Sequence, residues 1–160
     1  MSSIPQPVRA TRAQVSDFLT HKRIAAIGVS RDAKDFTRSL TALFKSKGYE
    51  LVPVNPNATE IDGQPCFANI QDLQPPVDTA LVLTSPQASE QVVKECANSG
   101  VKRVWLYGPA NAKAANPAAV AFCREHGIDV IPGECPFMFI GSWPHKIHGV
   151  VNKLVGIYPR

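Results

Sequence analysis

The chain of 160 residues has no apolar run approaching the roughly 20 residues that a membrane span needs. Uncharged stretches such as Leu51 to Thr59 are cut by proline and polar side chains, so no membrane partner is expected. It also lacks a secretory leader: Met1 to Arg12 holds two prolines and two arginines but no apolar h-region, and residues 1–11 read as a flexible lead-in. The default address is then cytoplasmic. Four cysteines, Cys66, Cys96, Cys123 and Cys135, contain no C-x-x-C pair and no zinc-like spacing, and disulfides are rare in a reducing compartment. No five like charges run together, aromatics make up 8% of the chain, and the net charge is +4, so the footprint of a nucleic-acid binder is missing. A modest, dispersed positive balance suits a small anionic ligand.

What is present is an alternation of short apolar runs with helical segments. Arg23 to Val29, Leu51 to Val54, Thr79 to Leu83, Arg103 to Leu106 and Asp129 to Ile131 are bounded by turn residues, as buried parallel strands tend to be. Between them Leu40, Leu43 and Phe44, then Val92, Val93, Cys96 and Ala97, then Ala118 to Phe122 recur at helical spacing. Gly48, Gly100 and Gly127 follow these stretches as left-handed stops. Such βαβ repeats predict an α/β fold: a doubly wound, mostly parallel, Rossmann-like sheet in three α/β/α layers, forming a single domain over residues 12–160. A leading helix is expected over Arg12 to Thr20, with Thr11 as its N-cap. Asn69 to Leu73 suits a short helical turn, Pro65 to Phe67 stays unassigned, and His145 to Gly156 reads as a closing amphipathic helix.

The first strand runs into Ile27-Gly28-Val29-Ser30, then Arg31 and Lys34, then a helix carrying Thr37 and Arg38. Gly28 stands where backbone approaches a ligand, and the N–H groups of the following helix would face that ligand. Ser30 and Thr37 offer hydroxyls, while Arg31, Lys34 and Arg38 offer positive charge, an array suited to a pyrophosphate or a sugar phosphate. A tight turn with solvated charges is the plain alternative. The turn has lost two of the three glycines of G-x-G-x-x-G, and the second strand ends at Asn55 and Pro56, with no carboxylate for ribose hydroxyls. The site chemistry therefore disfavours ordinary NAD-dependent hydride transfer, and Asn55 with Pro56 supplies a neutral wall for an adenine ring.

Gly28-Val29-Ser30-Arg31, Lys47-Gly48-Tyr49, Pro53-Val54-Asn55-Pro56, Glu60-Ile61-Asp62-Gly63, Pro65-Cys66, Val104-Trp105 and Gly133-Glu134-Cys135-Pro136 together resemble the small single-domain CoA-binding proteins. Their domain is similar to the N-terminal CoA-binding domain of the succinyl-CoA synthetase α subunit, and the resemblance spans about residues 15 to 140 in order. It implies coenzyme A or an acyl-CoA as ligand, with its phosphates at Gly28, Val29, Ser30 and Arg31 and its adenine near Asn55 and Pro56. It also implies that Thr84, Ser85 and Pro86 line the other side of the cofactor. The ligase subunit has a lysine where this chain has about Ala58, so basic contacts fall to Arg31, Lys34 or Arg38. The subunit's phosphorylated histidine belongs to a second domain with no counterpart here, and the ligase reaction does not transfer.

Other side chains have simpler roles. His145 and His148 share a helix face but lack further ligands at metal spacing, so no metal is expected. His21 and His126 fall at helix C-terminal ends, where the dipole favours an imidazolium. Cys135, at the end of the last strand, could exchange with the CoA thiol, although a buried structural thiol explains it more simply. Glu134 could act as a base only with a shifted pKa. Trp105, Tyr107 and Gly108 end the fourth strand, by the pantetheine or in the core. With no recognisable nucleophile, base and orienter, a CoA-binding module is favoured over an enzyme. Two alternatives stay open: the CoA-binding subunit of an acyl-CoA ligase-like complex, and an NAD- or nucleotide-binding regulator. The closing helix and extended N-terminus leave room for a homodimer.

Overall fold

The computed structural model describes residues 9–107 and 116–140. The closing helix expected over His145 to Gly156 lies outside them, as do Gly108 and residues 1–8 of the expected lead-in. The chain alternates α1 (Arg12–Thr20), β1 (Arg23–Ile27), α2 (Phe36–Ser46), β2 (Glu50–Val54), β3 (Glu60–Ile61), β4 (Gln64–Pro65), β5 (Thr79–Val82), α3 (Pro86–Asn98), β6 (Arg103–Leu106), α4 (Pro117–Glu125), β7 (Asp129–Pro132) and α5 (Phe137–Ile140). Five strands form one parallel sheet in the order β2-β1-β5-β6-β7. This is the doubly wound architecture that the βαβ alternation predicts.

Side-chain alternation along each strand divides the core in two. Ile24, Ala26, Leu51, Leu81, Trp105 and Ile131 point to the face covered by Val15 and Phe18 of α1 and Leu40 and Phe44 of α2. Ala25, Ile27, Val52, Ala80, Val104 and Val130 point the other way, onto Val93 and Cys96 of α3 and Cys123 of α4. A sheet buried on both faces needs apolar residues at odd and even positions alike, which is why its strands read as continuous apolar runs.

Local chemistry fixes the ends of these elements. Thr11 and Gln14 form a reciprocal capping box on α1. Gly48, Gly100 and Gly127 take positive φ just after α2, α3 and α4. His21 and His126 are the C-cap residues of α1 and α4. β1 stops at Ile27, two residues short of the expected Val29, because Gly28 turns at φ 91°. Within the longer connection, Asp62 (φ 53°) and Gly63 (φ 72°) close a β3–β4 hairpin of the type that needs positive φ at both turn residues. Pro65 thus ends a two-residue strand, and Phe67 makes a single parallel bridge with Val54. A 3₁₀ turn occupies Ile70–Asp72.

Sheet order places the site. From β1 the chain crosses to β2 on one side and returns to β5 on the other, so the loops after β1 and β5 diverge to opposite faces. The crevice between them is the switch point at which doubly wound sheets bind ligands.

Candidate functional site

The turn after β1 is built from the chain's own hydrogen bonds. Gly28 extends the ladder by donating its N–H to Val54 O at 2.9 Å, and Leu83 does the same to Ile27 O at 2.8 Å. The Ser30 N–H then donates to Thr37 Oγ1 at 3.0 Å, and that hydroxyl donates to Asp35 Oδ1 at 2.6 Å. Asp35 is also the N-cap of α2, accepting from the Thr37 N–H at 2.8 Å. These bonds, the Thr37 hydroxyl first, hold the Asp35 carboxyl below its ordinary value. The α2 N-terminus, expected to face an anion, is therefore capped by an internal carboxylate, and the Thr37 proton is committed inside the protein. The Ser30 hydroxyl accepts from the Asp32 N–H at 3.1 Å and keeps its own proton to donate.

Arg38 is likewise committed. Its guanidinium pairs with both oxygens of Asp62 on the β3–β4 hairpin and donates to Arg31 O at 3.2 Å and Ser30 O at 3.4 Å. It shapes the turn by holding two of its carbonyls. Arg31 and Lys34 are exposed and have no ion-pair partner among the described residues, so the cationic contribution of this turn rests on them. Asn55 joins the loop after β2 to the turn, its amide donating to Val29 O at 2.9 Å while its Oδ1 accepts from the Asn57 N–H at 2.8 Å. Pro56 is exposed beside it, and Ala58, where the ligase subunit has lysine, packs against the α1–α2 core.

Across the switch point, Thr84 touches the glycine turn. A Cβ added at Gly28 would lie 2.8 Å from Thr84 Cγ2 and 3.0 Å from the Thr84 amide nitrogen. Gly28 is thus required by a neighbouring strand end as well as by its positive φ. Thr84 Oγ1 is buried with no hydrogen-bond partner among the described residues. Ser85, the N-cap of α3, makes no side-chain cap bond, and Pro86 follows at the first helical position. Asn116, N-cap of α4, donates to Pro86 O at 2.9 Å and fixes this loop. The uncapped α3 start, the spare Thr84 and Ser85 hydroxyls, Ser30 and the two cations form a donor set that fits a phosphorylated group.

The far end of the same edge is less polar. Trp105 is fully buried, edge-on to Phe18 at 5.1 Å, and donates to Glu134 O at 2.9 Å, so it belongs to the core. Glu134 is 6% exposed, and desolvation pushes its carboxyl up to about 7 against the opposing charge of Arg9. Burial also raises the Cys135 thiol, outweighing hydrogen bonds from the backbone of Phe137 and Met138. At neutral pH it is a protonated, weak nucleophile for thiol exchange. Three strand spacings separate β7 from β1, about 14 Å. Cys66, Cys96 and Cys123 are buried, with the Cys96 and Cys123 thiols pushed up by desolvation to about 12 and about 11.

Two site residues escape a sequence reading. Asp35 carries a signal, an Asp immediately before an apolar-periodic run, that marks an N-cap. Asp62 carries none, since the hairpin alone brings it to Arg38. A hollow of about 490 Å³ opens at the opposite, amino end of the sheet, by Arg23, Asp78 and Lys102. The candidate site is defined instead by the turns that converge at the carboxyl edge. Among the described residues no helix is long and apolar enough to cross a membrane, and no cluster of three His, Cys, Asp or Glu side chains could hold a metal ion.

The family pattern described as a CoA binding domain matches residues 22–140. An ADP-forming acetate–CoA ligase II of Archaeoglobus fulgidus is 26% identical over 128 residues, 75% of this chain and 19% of the ligase, so the chain spans about a fifth of that relative's length. YneT of Bacillus subtilis, an uncharacterised protein, is 25% identical over 126 residues, 78% of this chain and 90% of YneT. A conserved hypothetical protein from Pyrococcus furiosus has a solved structure that superposes with a TM-score of 0.63 at 29% identity, covering 71% of this chain and 95% of that one.

Proposed function

Because the chain belongs to the CoA binding domain family, we propose that it binds coenzyme A or an acyl-CoA at the carboxyl edge of its sheet, as a binding domain with no catalysis of its own. The observation that carries this reading is the contact of the Gly28 turn with Thr84 at the switch point, where unpaired hydroxyls and the cations Arg31 and Lys34 gather. In this reading Gly28, Val29 and Ser30 present the phosphate turn, and Thr84, Ser85 and Pro86 form its opposite wall. Thr37, Arg38 and Asn55 hold the turn in shape, and Pro56 offers an apolar surface to the adenine. Cys135 lies by the thiol end. The near-complete coverage of YneT supports a free-standing domain.

Calorimetry with CoA, dephospho-CoA, ADP and NAD tests the proposal. CoA should bind most tightly, with affinity falling about tenfold when the 3′-phosphate is removed or in Arg31→Ala, the scale of one charge-assisted contact. An NAD isotherm with no heat from CoA would replace the ligand by a dinucleotide. The Archaeoglobus relative favours a second reading, the CoA half-site of an acyl-CoA ligase assembly. That reading requires a nucleotide-binding partner to copurify with the tagged chain, and isolation of the chain alone would count against it.

A further inference from the structure

Among the described residues one large apolar side chain stands out into solvent, Phe36, at 42% exposure. It is the first residue of α2, directly after the N-cap Asp35 and two positions from Lys34, and so belongs to the turn that gathers the phosphate donors. Its ring meets Tyr107 at 5.4 Å between centroids, with planes tilted by 31°, and Phe137 at 5.3 Å with planes tilted by 48°. Tyr107 is one residue past β6 and Phe137 opens α5 after β7, so three separate segments at the carboxyl edge contribute one ring each. None of the three rings is fully buried. The shelf begins at the phosphate turn and runs along the edge towards the end of β7.

We propose that this Phe36–Tyr107–Phe137 shelf receives the acyl group of a CoA thioester, and that the group is neutral and apolar. The inference rests on the CoA reading and deepens it by naming the acyl class. Continuity supplies the occupant: a ligand with its phosphates at Ser30, Arg31 and Lys34 and its chain laid along the strand ends passes over these rings. Charge supplies the class. Asp35, kept ionised by Thr37, adjoins Phe36, and Glu134, three residues before Phe137, is buried and offers the rings no positive charge. Burial first, and the neighbouring Cys135 second, raise the Tyr107 hydroxyl pKa, and neither side chain contributes positive charge. An acyl group ending in a carboxylate would meet the Asp35 charge at one end of the shelf and an apolar surface that cannot solvate it, whereas an alkyl or aryl group would release water from the rings.

The test is a calorimetric series with CoA, acetyl-CoA, hexanoyl-CoA, benzoyl-CoA and succinyl-CoA on the wild-type chain and on Phe36→Ala and Phe36→Leu. Hexanoyl-CoA and benzoyl-CoA should bind about tenfold more tightly than CoA, corresponding to a few tens of Å² of apolar surface removed from water on each side. Succinyl-CoA should bind no more tightly than CoA. Phe36→Ala should bring the ratio of hexanoyl-CoA to CoA affinity to within about twofold, and Phe36→Leu should keep most of it. Equal binding of CoA and all its thioesters, tightest binding of succinyl-CoA, or an unaltered ratio in Phe36→Ala would overturn the shelf while leaving the CoA reading in place. No binding by any member of the series would remove the CoA reading and the shelf with it.

Discussion

Gly28 and Thr84 meet where the first strand's turn and the third core strand's end close on each other: a Cβ on Gly28 would stand 2.8 Å from the Thr84 methyl carbon. With φ at 91°, Gly28→Ala adds backbone strain to this collision and should destabilise the fold by about 2 kcal/mol or more. Thr84→Ser removes the methyl and should recover part of that loss in the Gly28→Ala background while being nearly neutral alone. A double-mutant cycle by thermal unfolding reads the coupling, and additive losses would show that the two residues do not collide.

The Thr37 hydroxyl couples the Ser30 amide to the α2 cap. Thr37→Val removes the acceptor of one N–H and a donor to an ionised carboxylate, and should cost about 1–2 kcal/mol. Thr37→Ser keeps the hydroxyl and should lose less. CoA affinity should follow the same order, which a titration of the two variants checks.

Arg38 and Asp62 hold the hairpin to the turn. Arg38→Lys retains charge but loses the planar fork that reaches two carboxylate oxygens and two carbonyls, so it should weaken stability by about 1 kcal/mol and CoA binding with it. Asp62→Asn should have a smaller effect, since Asp62 is half exposed. Equal unfolding midpoints for wild type and Arg38→Lys would show that the fork contributes nothing.

Glu134 makes stability depend on pH. Its carboxyl titrates near 7 in the fold against an ordinary 4.5, so the folded state holds a proton that the unfolded chain has released between those values. The stability of the neutral form is complete below about pH 4.5 and is lost as pH rises through about 7. Glu134→Gln cannot ionise and should exceed wild type by about 1–3 kcal/mol at pH 8, with the gap closing near pH 4.5. Denaturant unfolding at the two pH values measures it; a gap that does not change with pH would mean that Glu134 titrates normally.

The sequence by itself determined the layers of this protein. Apolar runs at Arg23, Leu51, Thr79, Arg103 and Asp129 could be buried only on both faces of a parallel sheet, and Gly48, Gly100 and Gly127 ended the helices locally, through backbone freedom that a single residue carries. Thr11 capped α1 for the same reason: its partner is three residues away. Gly28 and Ser30 were also legible as candidates, because strand ends in such sheets are where ligands bind, and Thr84 through the family resemblance alone.

Only the tertiary structure decided which groups each candidate touches. Thr37 and Arg38 read as ligand donors when their partners are unknown; Asp35 lies two residues from Thr37, but Asp62 reaches Arg38 only because a hairpin folds back across 24 positions. Phe36, Tyr107 and Phe137 come from three separate segments and share no periodicity, so their ring contacts exist only once the sheet order is set. The raised carboxyl pKa of Glu134 likewise follows from burial at the end of β7, opposed by the charge of Arg9, which is remote from it in sequence. Local preference acts over a few residues and can be read from them; charge pairing, desolvation and ring contact depend on distances that only the completed sheet defines.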